Sequence, residues 1–346
     1  MSSDPFSAST EPFSASRSYP GSRKQSIAAR EFLERIVVPD SNWLTNLIEM
    51  IRRFLACVVV AALSLPGLCK EFEEIAHDAN GRVGVAVMLL ESREAVELRG
   101  DERFPMHSVY KLPIAMAVLR RVDRGELQLD QTVKVEKTDF VRKGMYSPIR
   151  DKYPQGAQLT IAELLRYAVA ESDGTASDVL LKLTGGAEGV MSFLNEISVS
   201  GVNVVNSEKE IGRDWQTQYE NWATPKAAVE LLAALQTAHG LSGKSQAFLV
   251  KLTTESIPGA KRLKGQLPAG TLVAHKTGTG GMRDGITSAT NDIGIITLPN
   301  GTHLAVAVFV SDSSADETTR ESVIARIAKA AWDWASSAQQ PAPKTK

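Results

Sequence analysis

Ser108 and Lys111 stand three residues apart in Phe104-Pro-Met-His-Ser-Val-Tyr-Lys111, directly before the apolar run Leu112 to Val122. If a helix starts near Ser108, the two side chains share one face, about 4.5 Å apart along its axis. The serine then meets free backbone N–H groups and the positive end of the helix dipole, which together can hold an oxyanion. Lys111 can accept the serine's proton only as a neutral amine. An exposed lysine of pKa ~10.4 is charged at neutral pH, so this chemistry needs a shaped, desolvating pocket. The same two residues also fit an ordinary N-cap and an ordinary surface lysine, so the pair does not decide the question alone.

Three further stretches offer matching chemistry. Lys276-Thr277-Gly278-Thr279 closes a strand pattern in small and hydroxyl residues, where a substrate could lie along the backbone beside a cation and two hydroxyls. Ser172 sits in a break between helical patterns, where a hydroxyl can pass a proton to a leaving group. Glu208 is a carboxylate on the long irregular segment Asn206 to Trp222. Taken singly, each has a commoner role: strand-end charge, helix cap, solvated loop residue.

The elements that must position these residues follow from pattern. Val83, Val85, Val87 and Leu89 alternate, which predicts a strand over Arg82–Leu90 with one buried face, followed by a second strand over Ala95–Leu98. The Ser108 helix stops at Gly125, a C-cap glycine. Thr160 and Glu163 form a capping box, a helix is predicted over Ala176–Leu183, and Thr224-Pro225 opens another. Strands return at Thr271–Thr277, Asp292–Leu298 and His303–Val310, and an amphipathic helix over Glu317–Trp334 ends the fold. The order of strands, many helices, strands and helix predicts an α/β (α+β) protein. An antiparallel sheet is flanked by helices, with an inserted all-helical part beside it and a cleft between the two. The expected limits are 70–105 and 255–335 for the sheet part and 106–254 for the helical part.

The 346 residues carry a net charge of -1 and are 43% hydrophobic, enough for a substantial core and without a basic surface for nucleic acid. Five histidines and two cysteines, Cys57 and Cys69, suggest neither a multi-histidine metal site nor a disulfide framework, and no cofactor is expected. Residues 1–49 are rich in Ser, Pro and charge and read as a disordered extension. Met50-Ile-Arg-Arg53 followed by an apolar run to Pro66 reads as a signal peptide, with cleavage expected after Cys69 and translation expected to begin at Met50. Residues 336–346 read as a tail.

In this order and spacing, Ser108-Val-Tyr-Lys111, Ser172-Asp173-Gly174, Glu208 and Lys276-Thr277-Gly278 resemble the motifs of class A serine β-lactamases. Gln218-Tyr-Glu-Asn-Trp222, Arg262-Leu-Lys-Gly265 and Val273-Ala-His-Lys-Thr-Gly278 extend the resemblance to the PER and VEB extended-spectrum subgroup. It runs from about Lys70 to Trp334. The resemblance implies a β-lactamase/DD-peptidase-like fold whose Ser108 is acylated by a lactam carbonyl, with the N–H groups of Ser108 and Thr279 as oxyanion hole. It implies activation of Ser108 by Lys111 or by a water on Glu208, deacylation by a water on Glu208, and proton relay by Ser172. It assigns the substrate carboxylate to Lys276, Thr277, Gly278 and Thr279 with Arg262 behind them, and the aromatic wall of the cleft to Tyr146. Two positions depart from the usual pattern, which has Asn at Gly174 and Asn or His at Gly212. At the loop neck, Asn206 and Asn221 replace a usual Arg–Asp pair, so at most an amide contact is expected there. The implied partners are β-lactam antibiotics, with no nucleic acid and no stable membrane insertion after processing. A periplasmic or secreted monomer is expected. The rival readings are a DD-peptidase and a β-lactam sensor that stays acylated.

Overall fold

The computed structural model describes residues 46–48, 50 and 67–338. The chain divides into two units, residues 1–59 and 60–346, and the fold described below belongs to the second. The expectations for most of residues 1–66 and for 339–346 lie outside the described residues.

Helix α1 (residues 67–76) precedes β1 (Arg82–Leu89), β2 (Ala95–Leu98) and the short β3 (Phe104–Pro105). A tight 3-10 turn, His107–Tyr110, leads into α2 (Lys111–Asp123). Next come β4 (Thr132–Val135), α3 (Pro148–Lys152), β5 (Ala157–Thr160), α4 (Ile161–Val169), α5 (Gly174–Leu183) and α6 (Ala187–Glu196). Then follow β6 (Val202–Asn203), α7 (Glu208–Ile211), β7 (Trp222–Ala223), α8 (Pro225–Gln236) and α9 (Gly243–Thr254). The chain ends in β8 (Val273–Thr279), β9 (Met282–Arg283), β10 (Ile286–Thr297), β11 (His303–Ser313) and α10 (Glu317–Ala338).

The main sheet is antiparallel in the order β2-β1-β11-β10-β8, with β9 paired to β10. The early strands thus meet the late ones, and β8 is the outer strand toward the helical part. Two buried clusters lie on the two sides of the sheet. Val83, Val85, Val87 and Leu89 pack with Phe72 of α1 and with Val323, Ile324 and Ile327 of α10. Ala86, Met88, Ile293, Ile295 and Phe309 join the core of the helical part, which includes most of α2 and Ala176, Val179, Leu180 and Leu181 of α5. The single buried face expected for β1 is therefore corrected: Val83 to Leu89 is buried on both faces, because helices cover the sheet from both sides.

Local signals hold where the cap chemistry is explicit. Thr160 and Glu163 form both bonds of the capping box, and Thr224 accepts from Ala227 N above Pro225. The helix expected at Ser108 begins instead at Lys111, with Ser108 inside the 3-10 turn. The C-terminal helix continues through residues 336–338, which had been expected to belong to the tail. No helix among the described residues is long and apolar enough to cross a membrane.

Candidate active site

The turn before α2 sets the serine. His107 has a left-handed backbone (φ 46°), and so does Ser172 (φ 61°), conformations that cost a non-glycine residue about 1–3 kcal/mol and persist only where the surroundings impose them. The surroundings here are polar clamps. Asn291 of β10 donates its side-chain amide to Pro105 O (2.8 Å) and Met106 O (3.2 Å) and ties the turn to the sheet. Gly278 lets β8 pass the same turn: a Cβ there would lie 2.2 Å from Met106 O. The approach brings Ser108 and Thr279 to one end of the cleft.

Ser172 is set by the helix that follows it. Asp173 caps α5 by accepting from Ala176 N (2.8 Å) and also accepts from Ile149 N (2.7 Å) and the Ser147 hydroxyl. Burial raises its carboxyl pKa against these bonds.

Glu208 is delivered by a device the sequence displays but motif reading passes over. Ser207 and Glu210 form a complete capping box that opens α7, so the segment expected to be irregular holds one turn of helix with Glu208 at its first position. Asp178 of α5 holds that turn, accepting from Glu208 N (2.7 Å) and Lys209 N (3.1 Å). Burial first, and then the Glu208 charge, pushes Asp178 up to about 6.

The functional groups converge. Lys111 is 2% exposed, and its Nζ donates to Ser108 Oγ (2.8 Å) and Ser172 O (2.8 Å) and lies 2.8 Å from Glu208 Oε1. The last contact is an ion pair by distance, without the alignment of a hydrogen bond. Lys276, fully buried, donates to Ser172 Oγ (2.9 Å) and Thr277 O (3.2 Å). Burial, reinforced by the Lys111 charge, holds its ammonium well below the ordinary lysine range. Arg262 donates to Gly278 O (3.1 Å), Asn291 O (3.0 Å) and Thr279 Oγ1 (2.9 Å), while its Nε meets Glu321 at 3.1 Å. The guanidinium therefore braces the end of β8. Tyr146 is 64% exposed, and its carbonyl accepts from Gly174 N (3.1 Å).

Ser108, Lys111, Ser172, Glu208 and Lys276 are thus joined by direct contacts, and Thr277, Gly278, Thr279 and Arg262 adjoin them at the end of β8. The neighbouring histidines behave as packing groups: His275 is buried against Asp292 (2.9 Å), and crowding by protein pushes the partly accessible His107 down to about 4. Asp178 carries no motif signature, and Asn291 lies in the family-like stretch Thr290-Asn-Asp-Ile-Gly294 without a role of its own there, because the contacts of both arise only when distant segments meet. The neck of the Glu208 loop is closed more fully than the expected single amide contact. Asn221, fully buried, accepts from Val205 N (2.8 Å) and Asn206 N (2.9 Å) and donates to Asn206 O (2.8 Å). Asn206 in turn donates to Glu220 at 2.7 Å.

A hydroxyl, two buried lysines and a carboxylate are held together between a sheet edge and a helical block. The chain belongs to the β-lactamase enzyme family, which matches residues 67–335. It is a class A β-lactamase, and β-lactamase VEB-1 of Pseudomonas aeruginosa is 40% identical over 279 residues, 80% of this chain and 93% of that protein. Extended-spectrum β-lactamase PER-1 of the same organism is 42% identical over 271 residues, 78% of this chain and 87% of that protein. Among solved structures, a β-lactamase from Chitinophaga pinensis superposes with TM-score 0.76 at 44% identity, covering 78% of this chain and 99% of that one. The extended-spectrum β-lactamase TLA-1 gives 0.76 at 40%, covering 79% and 99%.

Proposed function

We propose that this β-lactamase works through an acyl-enzyme on Ser108 that a Glu208-activated water hydrolyses. The observation that carries the reading is the position of Lys111 Nζ, 2.8 Å from both Ser108 Oγ and Glu208 Oε1. An ammonium has three protons, of which Ser108 Oγ and Ser172 O each accept one, while Glu208 Oε1 lies 2.8 Å away as an ion-pair partner. In that state Lys111 donates to the serine and is no base. A proton passed from Lys111 to Glu208 leaves a neutral amine against Ser108, which then takes the hydroxyl proton as Oγ bonds the lactam carbon.

The carbonyl oxygen, becoming an oxyanion, is met by the N–H groups of Ser108 and Thr279. The C–N bond of the ring breaks, and Ser172 passes its proton to the departing nitrogen, replenished from the lysines on either side of it. Lys276, Thr277, Gly278 and Thr279 receive the substrate carboxylate, with Arg262 bracing Thr279 and Tyr146 forming the outer wall. Glu208 then returns its proton to Lys111 and is a carboxylate again; for deacylation it takes a proton from water as the hydroxide adds to the ester carbon, and when the ester C–O bond breaks that proton passes to Ser108 Oγ. Penicillins and cephalosporins are the proposed substrates. The basic and apolar stretch 50–69 supports export to the periplasm or beyond, and we propose that the exported enzyme is a monomer.

The test follows nitrocefin and a penicillin by absorbance and by intact protein mass. The expected outcome is sustained turnover that is lost in Ser108→Ala, with a stable acyl adduct in Glu208→Ala. A single stoichiometric adduct on the unmodified protein would instead make it a β-lactam sensor or a peptidase.

A further inference from the structure

Two glycines flank Glu208 in backbone conformations open to any residue. Gly212 closes α7 at φ -74° and ψ -5°, and Gly174 is the first residue of α5. Gly212 is one helical turn from Glu208 and donates to its carbonyl at 3.0 Å. What a side chain at Gly212 would have to displace is the thioether of Met145. A Cβ there would lie 2.6 Å from Met145 Sδ, 3.3 Å from Met145 Cε and 3.2 Å from Arg142 Nε. A Cβ on Gly174 would meet Tyr146 O at 3.2 Å, Val141 Cγ1 at 3.3 Å and Glu208 Cγ at 3.4 Å. Segment 141–147 therefore lies across both glycines.

That segment is a firm platform. Arg150 Nη1 donates to the carbonyls of Val141 (3.3 Å), Arg142 (2.9 Å) and Met145 (2.9 Å). Val141 N donates to Thr175 Oγ1 at 3.2 Å, and Lys209 Nζ of α7 reaches back to Thr138 O. From this platform the Met145 thioether reaches the far end of α7, opposite the end that Asp178 holds.

We propose that Met145 is a positioning residue for Glu208. Seated on Gly212, it couples the segment carrying Tyr146 to the helix turn carrying the carboxylate, so that cleft wall and Glu208 shift together. The inference rests on the reading of Glu208 as the deacylation base. A bare glycine at 212 is then the counterpart of the thioether: the space a polar side chain would fill beside Glu208 is filled from the opposite wall.

The test is a double-mutant cycle in the full chain with Met145→Ala, Gly212→Ala and the double variant, with Glu208→Gln as reference. It reads kcat and KM on nitrocefin and the acylated fraction by intact mass during turnover. Gly212→Ala alone should lower kcat about tenfold and accumulate acyl-enzyme, whereas in the Met145→Ala background it should cost about twofold or less. The same factor in both backgrounds overturns the proposal. A merely structural defect would lower the active fraction without changing the acylated fraction of the active enzyme. Should Gly212→Ala not fold, Met145→Ala must accumulate acyl-enzyme and Met145→Leu must restore wild-type deacylation, and equal acylated fractions in both overturn the proposal. If Glu208→Gln fails to accumulate acyl-enzyme, the base assignment falls and this inference with it. If that variant accumulates but the cycle is additive, only the inference falls.

Discussion

Asp178 and His107 are shifted in opposite directions, both chiefly by burial. The Asp178 carboxyl is raised from 3.8 to about 6 by burial and by Glu208, so the folded protein holds its proton more tightly than the unfolded chain. Its contribution to stability is present at low pH and is lost as pH rises from about 4 to about 6. His107 is lowered from 6.5 to about 4, so its contribution is present above pH 6.5 and is lost as pH falls toward 4. Each effect is on the order of 2–3 kcal/mol, and the two oppose over nearly the same window. In urea unfolding between pH 4 and 7, the slope of stability against pH should be more negative than wild type in His107→Gln and more positive than wild type in Asp178→Asn. Changes of the reverse sign would refute these assignments.

Gly174 makes a second argument at this scale. Its neighbours at 3.2–3.4 Å are tight without overlapping a Cβ, so an Asn fits if they yield by a few tenths of an ångström. An amide there could bond a substrate's acylamino carbonyl, and a hydrogen bond of this kind is worth ~1–3 kcal/mol when felt in the transition state. Gly174→Asn should raise kcat/KM on acylamino penicillins at least about fivefold and leave a substrate lacking that group unchanged. Equal effects on both would show that the side chain merely reshapes the cleft. Ser108, Lys111, Ser172 and Lys276 were legible in sequence because reactive types stand at fixed spacing. Met145, Asp178 and Asn291 were not, since nothing in their own neighbourhoods shows what the fold brings against them.

At the scale of elements, the loop carrying Glu208 depends on its neck. Asn221 satisfies two partly buried N–H groups and one carbonyl within Val205 and Asn206, and its own backbone carbonyl accepts from Met106 N at 2.9 Å. Asn221→Leu keeps the volume and leaves those three groups unpaired, which should cost about 2–4 kcal/mol. The melting temperature should fall by several degrees, and amide exchange in α7 should quicken. A variant with normal exchange there would show that the neck does not hold the helix. Cap-marked elements were legible because a capping box is a local event. Ser207 to Glu210 was open to the same reading and was passed over because the segment around it has no apolar period. The double burial of β1 was not legible, because alternating Val and Leu reports one face while Gly84, Ala86 and Met88 say little of the other.

Across the whole molecule, the sheet separates two cores, and only one of them borders the cleft. The cluster formed with the helical part contains Met106, Val109 and Leu112, next to the nucleophile. The opposite cluster joins α1 and α10 and contains Leu68, which is 5% exposed, while Cys69 Sγ donates to Glu97 O at 3.4 Å. The processing site expected after Cys69 would remove Leu68 from a face it helps to cover. Burying one leucine side chain contributes about 1.5–3 kcal/mol. A chain beginning at Gly67 should therefore unfold at higher urea than one beginning at Lys70, by about 2 kcal/mol, with equal kcat/KM, because the lost contact lies across the sheet from Ser108. Equal stability would mean that α1 gains nothing from its first turn. A loss of kcat/KM would mean that the two cores are coupled through the sheet, so that the site depends on the first turn of α1.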